Sequence, residues 1–148
     1  MSTTPIISVT DLAWAGGFID GEGCICIAKV KRNCGHRINY RLRVHVAQNC
    51  RTTLEELRRI LGGAGYIFKI RRRLEHTRQI YSFVLDGQAA IDAIRTVSPY
   101  LRRKHGEAEV AIAFYARGDI SGHPGPKGAS AEIWKFRKWC DDKLRKMK

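Results

Sequence analysis

The sequence predicts an α+β fold, and three observations carry that prediction. Residues 12–23 read as a helix of unusually small side chains ending in glycines, residues 36–48 alternate apolar and polar, and the remainder breaks at glycine and capping signals into further helices and short strands. A chain of 148 residues is expected to form one domain, 1–148, large enough for a core without disulfide or metal staples.

The elements follow in order. Thr10 can cap a first helix running to about Asp20, where Gly21 and Gly23 end it and release a strand, Cys24–Arg32. Asn33, Cys34 and Gly35 make a turn. His36–Gln48 then sets Ile38, Tyr40, Leu42, Val44 and Val46 on one side and Arg37, Asn39, Arg41, Arg43 and His45 on the other. Thr52-Thr53-Leu54-Glu55 reads as a capping box opening a short helix through Leu61, closed by Gly62 and Gly63. Two strands follow, about Tyr66–Arg73 and Gln79–Leu85. Asp86 can cap a helix over Gln88–Val97, and Ser98-Pro99 fits the start of a longer helix ending at Arg117-Gly118. Asp119–Ala129 is a glycine- and proline-rich loop. Ser130 caps a last helix, whose apolar residues are Ile133, Trp134, Phe136, Trp139 and Leu144 and whose end, Lys143–Lys148, is basic. No internal repeat or low-complexity segment interrupts this order.

Composition narrows the partners. Lys and Arg number 27 against 14 acidic residues, a formal charge of +13 with a pI near 10.0, so a polyanion, and nucleic acid first, is expected. No apolar run approaches the roughly 18 residues a membrane span requires, and the first ten residues fit neither a secretory signal nor an Arg-rich transit peptide. The five cysteines, Cys24, Cys26, Cys34, Cys50 and Cys140, are odd in number and lack zinc-ligand spacing, which predicts reduced thiols in an intracellular protein. Cys24 and Cys26 lie in a strand and read as strand side chains rather than ligands.

Within residues 12–23, Ala13, Gly17 and Gly21 recur every fourth position and share one helical face. Glycine inside a helix costs about 1 kcal/mol relative to alanine, so a face with almost no side chain implies a second backbone packed close against it, as in small-xxx-small helix pairs. The expected partner is another copy of the same helix.

The nine residues Ala15 to Gly23, Ala-Gly-Gly-Phe-Ile-Asp-Gly-Glu-Gly, resemble the motif of the LAGLIDADG homing endonucleases, and Gln48, the Pro99–Lys104 stretch and the order of elements between them fit as well. The resemblance covers about residues 10–118 and gives little guidance on the C-terminal helix, about 130–148. It implies an αββαββα core with a curved antiparallel four-stranded DNA-binding sheet per subunit, helices on the opposite face, and dimerisation through the motif helix. The activity implied is that of a site-specific, metal-dependent DNA endonuclease using Mg²⁺ or Mn²⁺. One motif per chain implies a homodimer making a staggered double-strand cut in a long pseudo-palindromic site. Glu22 stands where the family keeps its metal-binding acid, commonly an aspartate, with the Gly21 backbone carbonyl as a further ligand. Gln48 matches the polar residue that ends the second strand and holds water near the metals, and Lys104 matches the lysine that approaches the scissile phosphate. Asp20 fits the motif acid that caps or orients. The family's arginine shortly after Gln48 has no match, since Thr52 holds the nearest spacing and Arg51 lies one residue earlier.

The chemistry agrees with this assignment from first principles. Phosphodiester hydrolysis needs charge neutralisation and an activated water, which divalent ions supply, and hard cations take carboxylate oxygens. A twisted antiparallel ribbon fits the major groove, where Arg, Asn, Gln, Ser and Thr read base edges. Arg37, Asn39, Arg41, Arg43 and His45 form such a row. Lys69, Arg71 and Arg73 are candidates on the third strand, with Arg72 an alternative register. Arg78, Ile80 and Ser82 are candidates on the fourth, and Cys24, Cys26, Ala28 and Arg32 on the first.

Two other classes compete. An RNA maturase acting on intron RNA, or a non-cleaving DNA-binding regulator, would use the same scaffold. A ribosomal or other RNA-binding protein would account for the charge but not for the Ala13/Gly17/Gly21 face. A prokaryotic or phage host, with the chain intron-encoded and acting inside the cell in the cytoplasm or nucleoid, is the simplest expectation, an organelle the alternative.

Overall fold

The computed structural model describes residues 4, 6–31, 38–117 and 131–148. Ser8, rather than Thr10, starts the first helix. Its hydroxyl accepts from the Asp11 amide at 3.0 Å while the Asp11 carboxylate accepts from the Ser8 amide at 3.0 Å, a reciprocal capping box. Helix α1 spans Val9–Glu22 and so runs past the predicted end at Asp20, through Gly21. The break comes at Gly23, where a Cβ would stand 2.8 Å from the Ile19 carbonyl oxygen.

Strands β1 (Gly23–Lys31) and β2 (Ile38–Gln48) pair antiparallel, Gly23 opposite Val46 and Lys31 opposite Ile38. Helix α2 (Arg51–Ile60) begins one residue before the predicted capping box, which does not form: Cys50 is the N-cap without a side-chain bond. Glu55 instead accepts from the Arg51 guanidinium at 3.0 Å. Gly62 and Gly63 close α2 as predicted, at φ +99° and +81°, a region that L side chains rarely adopt.

Strands β3 (Tyr66–Lys69) and β4 (Tyr81–Asp86) are shorter than the sequence suggests. Between them the chain satisfies its carbonyls locally, Gln79 donating to Ile70 and Arg72 to Glu75 and Thr77, so residues 71–78 form a side-chain-stitched loop rather than a ladder. Helix α3 (Gln88–Val97) matches its predicted bounds, but Gly87 at φ +60° is the N-cap. Asp86 is unavailable for that task because its carboxylate grips Arg43 across the sheet. The long helix predicted from Ser98 is interrupted: Ser98–Tyr100 is a 3₁₀ turn containing Pro99, and α4 (His105–Arg117) starts five residues later. Helix α5 spans Ala131–Lys146. The predicted turn at Asn33-Cys34-Gly35, the loop Asp119–Ala129 and the Ser130 cap lie outside the described residues.

The four strands form one curved antiparallel sheet in the order β1-β2-β4-β3. Alternation drives Ile25, Ile27, Leu42, Val44, Val46, Phe83 and Leu85 to one face, each 4% exposed or less. Against them pack Ile19 of α1, Leu54 and Leu57 of α2, Ile91 and Ile94 of α3, Phe114 of α4 and Leu144 of α5, in one continuous core. Helix α5 is fastened by buried Asp141, which pairs with Arg145 at 3.0 Å and with Lys29 of β1 at 3.6 Å. All helices therefore lie on one side of the sheet and leave its other face open. No helix among the described residues is long and apolar enough to cross a membrane.

Packing of α1 separates its glycines. A Cβ on Gly16 would lie 2.6 Å from the Tyr100 Cβ, whereas one on Gly17 or Gly21 would meet no atom of the described residues within 4 Å beyond its own stretch of helix. Gly16→Ala is expected to lower stability by about 1–3 kcal/mol through overpacking, despite the better helix propensity of alanine. Urea unfolding checks this as a lower midpoint at unchanged slope; a midpoint equal to or above that of the wild type would refute the close contact.

Candidate metal and nucleic-acid site

The two acids at the end of α1 have opposite situations. Asp20 is consumed: its Oδ2 accepts the backbone amides of Arg102 and Arg103 at 3.0 and 2.9 Å, and its Oδ1 that of Lys104 at 2.8 Å. Partial burial raises the carboxyl's pKa, but the three amides and the nearby Lys104 charge outweigh that effect and hold it below the ordinary 3.8. Glu22, two residues on, is exposed and makes no hydrogen bond or ion pair among the described residues. It sits in the last turn of α1, where helix carbonyls concentrate negative potential and no basic residue is present. A free carboxylate beside the helix-end carbonyls, of which Ile19 accepts the Gly23 amide and Asp20 the Lys104 ammonium, is an oxygen-rich corner of a kind that hard divalent cations take.

Lys104 lies at the same corner. It is 7% exposed, and its ammonium donates to the Asp20 carbonyl oxygen while its own carbonyl accepts the Ala108 amide and starts α4. Gln48 reaches this end of the sheet through register: with Gly23 opposite Val46, the end of β2 extends level with Gly21 and Glu22. Arg51, just beyond, places its guanidinium 5.8 Å from the ring centroid of Tyr81, the cross-strand partner of Gln48. The fold thus gathers Glu22, Gly21, Lys104 and Gln48 at one end of the sheet. Ala13, Gly17 and Gly21 form an exposed strip along α1 beside it.

The open face of the sheet carries only part of the predicted row. Asn39, Arg41 and His45 point there, and Arg41 is exposed without a partner among the described residues. Arg43 points there too, but Asp86 accepts its guanidinium in a fork at 2.7 and 2.9 Å, so Arg43 ties β2 to β4 rather than standing free. Ser82 is on this face yet only 6% exposed, with Phe68 as its cross-strand partner.

The third strand reverses the expectation. Its register with β4 sets Tyr66 opposite Val84 and Phe68 opposite Ser82, so the two aromatics face outward, stacked at 5.7 Å, and Lys69 turns to the helix side. Arg71 and Arg73 lie past the end of β3 in the exposed loop, as does Arg78 before β4. Arg72, the alternative, is spent on loop carbonyls. Arg32 and Arg37 lie outside the described residues.

One group went unrecognised in the sequence. Cys24, Cys26 and His45 bring their sulfurs and an imidazole nitrogen within 4.8 Å of one another on the open face. Hydrogen bonds from Cys26 and then His45 hold the Cys24 thiol well below its ordinary value, and the same Cys26–Cys24 bond pushes Cys26 up. Cys-x-Cys carries no ligand signal by itself; the partner histidine is supplied by strand pairing, 21 positions from Cys24 along the sequence.

Comparison with known proteins decides the family. A family model described as LAGLIDADG endonuclease matches residues 15–114, more than half of the chain. The chain belongs to the LAGLIDADG endonuclease family. Its fold is similar to that of the homing endonuclease I-CvuI in complex with its target, at 21% identity and TM-score 0.73 over 95% of this chain and 85% of that one. The archaeal intron-encoded homing endonuclease I-Vdi141I, complexed with DNA, gives 17% identity and TM-score 0.73 over 94% and 84%. The meganuclease I-SmaMI, bound to uncleaveable DNA, matches 90% of this chain but 46% of its own, at 21% identity and TM-score 0.62. No curated protein matches the chain. The described LAGLIDADG segment, Ala15 to Gly23, is the end of α1 and its junction with β1.

Asp20→Asn keeps the shape of the motif but removes the charged acceptor, with an expected cost of about 1–3 kcal/mol. Because the folded carboxyl titrates below 3.8, this contribution is complete above that pH and is lost as pH falls through the folded value. Urea titrations of both proteins across the acid range check this: the gap between them should close on acidification, and a gap that persists undiminished at the lowest pH would contradict the assignment.

Proposed function

We propose that this LAGLIDADG protein is a site-specific DNA endonuclease that acts as a homodimer, with one Glu22 from each chain building the hydrolytic centre. The observation that carries the reading is the division of labour on α1: Asp20 is wholly engaged in holding the helix end, while Glu22 is free beside the open Ala13/Gly17/Gly21 strip. Two such helices packed along that strip would bring two free carboxylates together.

Glu22 and the Gly21 carbonyl would hold Mg²⁺ or Mn²⁺, which when bound supplies charge neutralisation on the phosphate and a more acidic water. Lys104, with its ammonium fixed on the Asp20 carbonyl, presents a positive charge toward the scissile phosphate without needing to be ordered on binding. Gln48 both donates and accepts, so its amide orients water at the end of the sheet. The open face receives the duplex. Asn39, Arg41 and His45 meet base edges or phosphates, and Tyr66 and Phe68 add apolar contact, such as with thymine methyl groups. The net charge of +13 supplies salt-dependent affinity along the backbone. Two-fold pairing implies a pseudo-palindromic site and a staggered double-strand cut.

The test is cleavage of a randomised duplex library by the wild type and by Glu22→Gln, each with Mg²⁺ and with EDTA. Discrete Mg²⁺-dependent cuts are expected from the wild type, with a loss of at least about 100-fold in Glu22→Gln and duplex binding retained. Tight binding with no cut under any condition would refute the nuclease reading, as would undiminished cutting by Glu22→Gln.

A further inference from the structure

We infer that Cys24, Cys26 and His45 form a zinc-binding site on the open face of the sheet. Strand alternation puts both cysteines on that side of β1, and the β1–β2 register sets Cys24 directly opposite His45 and Cys26 opposite Arg43. Their ligand atoms all lie within 4.8 Å of one another. With Zn–S about 2.3 Å and Zn–N about 2.0 Å, tetrahedral ligands stand roughly 3.5–3.8 Å apart. The remaining difference is about an ångström, within the reach of side-chain rotation. All three residues are half-buried, which leaves a fourth position facing outward.

The donor set chooses the ion. Two thiolates and an imidazole favour Zn²⁺, whereas Mg²⁺ demands oxygen ligands at octahedral positions. The site is therefore chemically distinct from the carboxylate corner at Glu22, although Cys24 follows it by two residues. Binding replaces two S–H bonds with two S–Zn bonds and releases both protons to solvent, with no change of oxidation state. Lys148 and the Asp86-held Arg43 lie near the two sulfurs, so the ion must compete with nearby positive charge as well as with the protons. An occupied site would take the His45 nitrogen away from a bound duplex. That consequence rests on the DNA-binding reading; the metal site does not.

The experiment is a Co²⁺ titration of the tag-free, reduced, full-length chain after metal removal, followed by absorbance in the thiolate charge-transfer and tetrahedral ligand-field bands. One equivalent per chain is expected, displaced by Zn²⁺ but not by excess Mg²⁺. The bands should be lost in Cys24→Ser, in Cys26→Ser and, as a check that disturbs no thiol, weakened in His45→Gln, while Cys50→Ser leaves them unchanged. Circular dichroism of each variant confirms its fold. Absence of a charge-transfer band in the wild type would overturn the proposal, as would bands that survive both Cys24→Ser and Cys26→Ser or vanish in Cys50→Ser. Because no DNA is present, this result is independent of whether the protein cleaves.

Discussion

The Asp20 carboxylate, through its bonds to three consecutive amides 82 to 84 residues further along the chain, is the constraint on which the rest of the site depends. Those amides belong to the segment that would otherwise continue a helix from Ser98 to Arg117. Captured by Asp20, they leave the helix interrupted, and α4 begins only at His105. The same lock brings Lys104 onto the Asp20 carbonyl and seats Tyr100 against Gly16. A charge-assisted acceptor for three donors is strong enough to set this geometry, and it exhausts Asp20. The motif's other acid, Glu22, is left as the one with oxygens to spare.

The division of α1 into faces follows from the same packing. Ala15, Gly16 and Ile19 are buried against the core and the 3₁₀ turn, while Ala13, Gly17 and Gly21 are exposed. Glycine at Gly16 is explained by Tyr100, but no neighbour among the described residues explains Gly17 or Gly21. Their helix-destabilising cost is accounted for if a second backbone approaches there. The reading of the chain as a dimer thus rests on what the monomer leaves unexplained, and on the position of Glu22 at the end of that strip.

Much of this was legible in the residues. The presence of the small-residue helix, though not its bounds, the alternation in 38–48 and the glycine stop after α2 each depend on a few neighbouring positions and are legible there. What failed mainly involved partners distant in sequence. Asp86 reads as a helix cap until its cross-strand Arg43 is known; a local failure is the capping box at Thr52–Glu55, which gives way to an Arg51–Glu55 pair starting one residue earlier. On the third strand, alternation separates Lys69, Arg71 and Arg73 from Tyr66, Phe68 and Ile70 but does not say which set faces outward. Pairing with β4 turns Tyr66 and Phe68 out, because a one-residue change of register exchanges the two faces. Cys24 and Cys26 were visible, but the histidine that completes their cluster arrives only with the β1–β2 register.

Two chains meeting through α1 to form one centre, as proposed, would place two copies on each target duplex. The most direct test is the mass of the particle on a target duplex, by light scattering or native mass spectrometry, for the wild type and for Gly17→Leu. Two chains per duplex for the wild type, and loss of the pair in a Gly17→Leu protein that remains folded, is the predicted result. A single wild-type chain on the duplex, or a pair that tolerates Gly17→Leu, would contradict it.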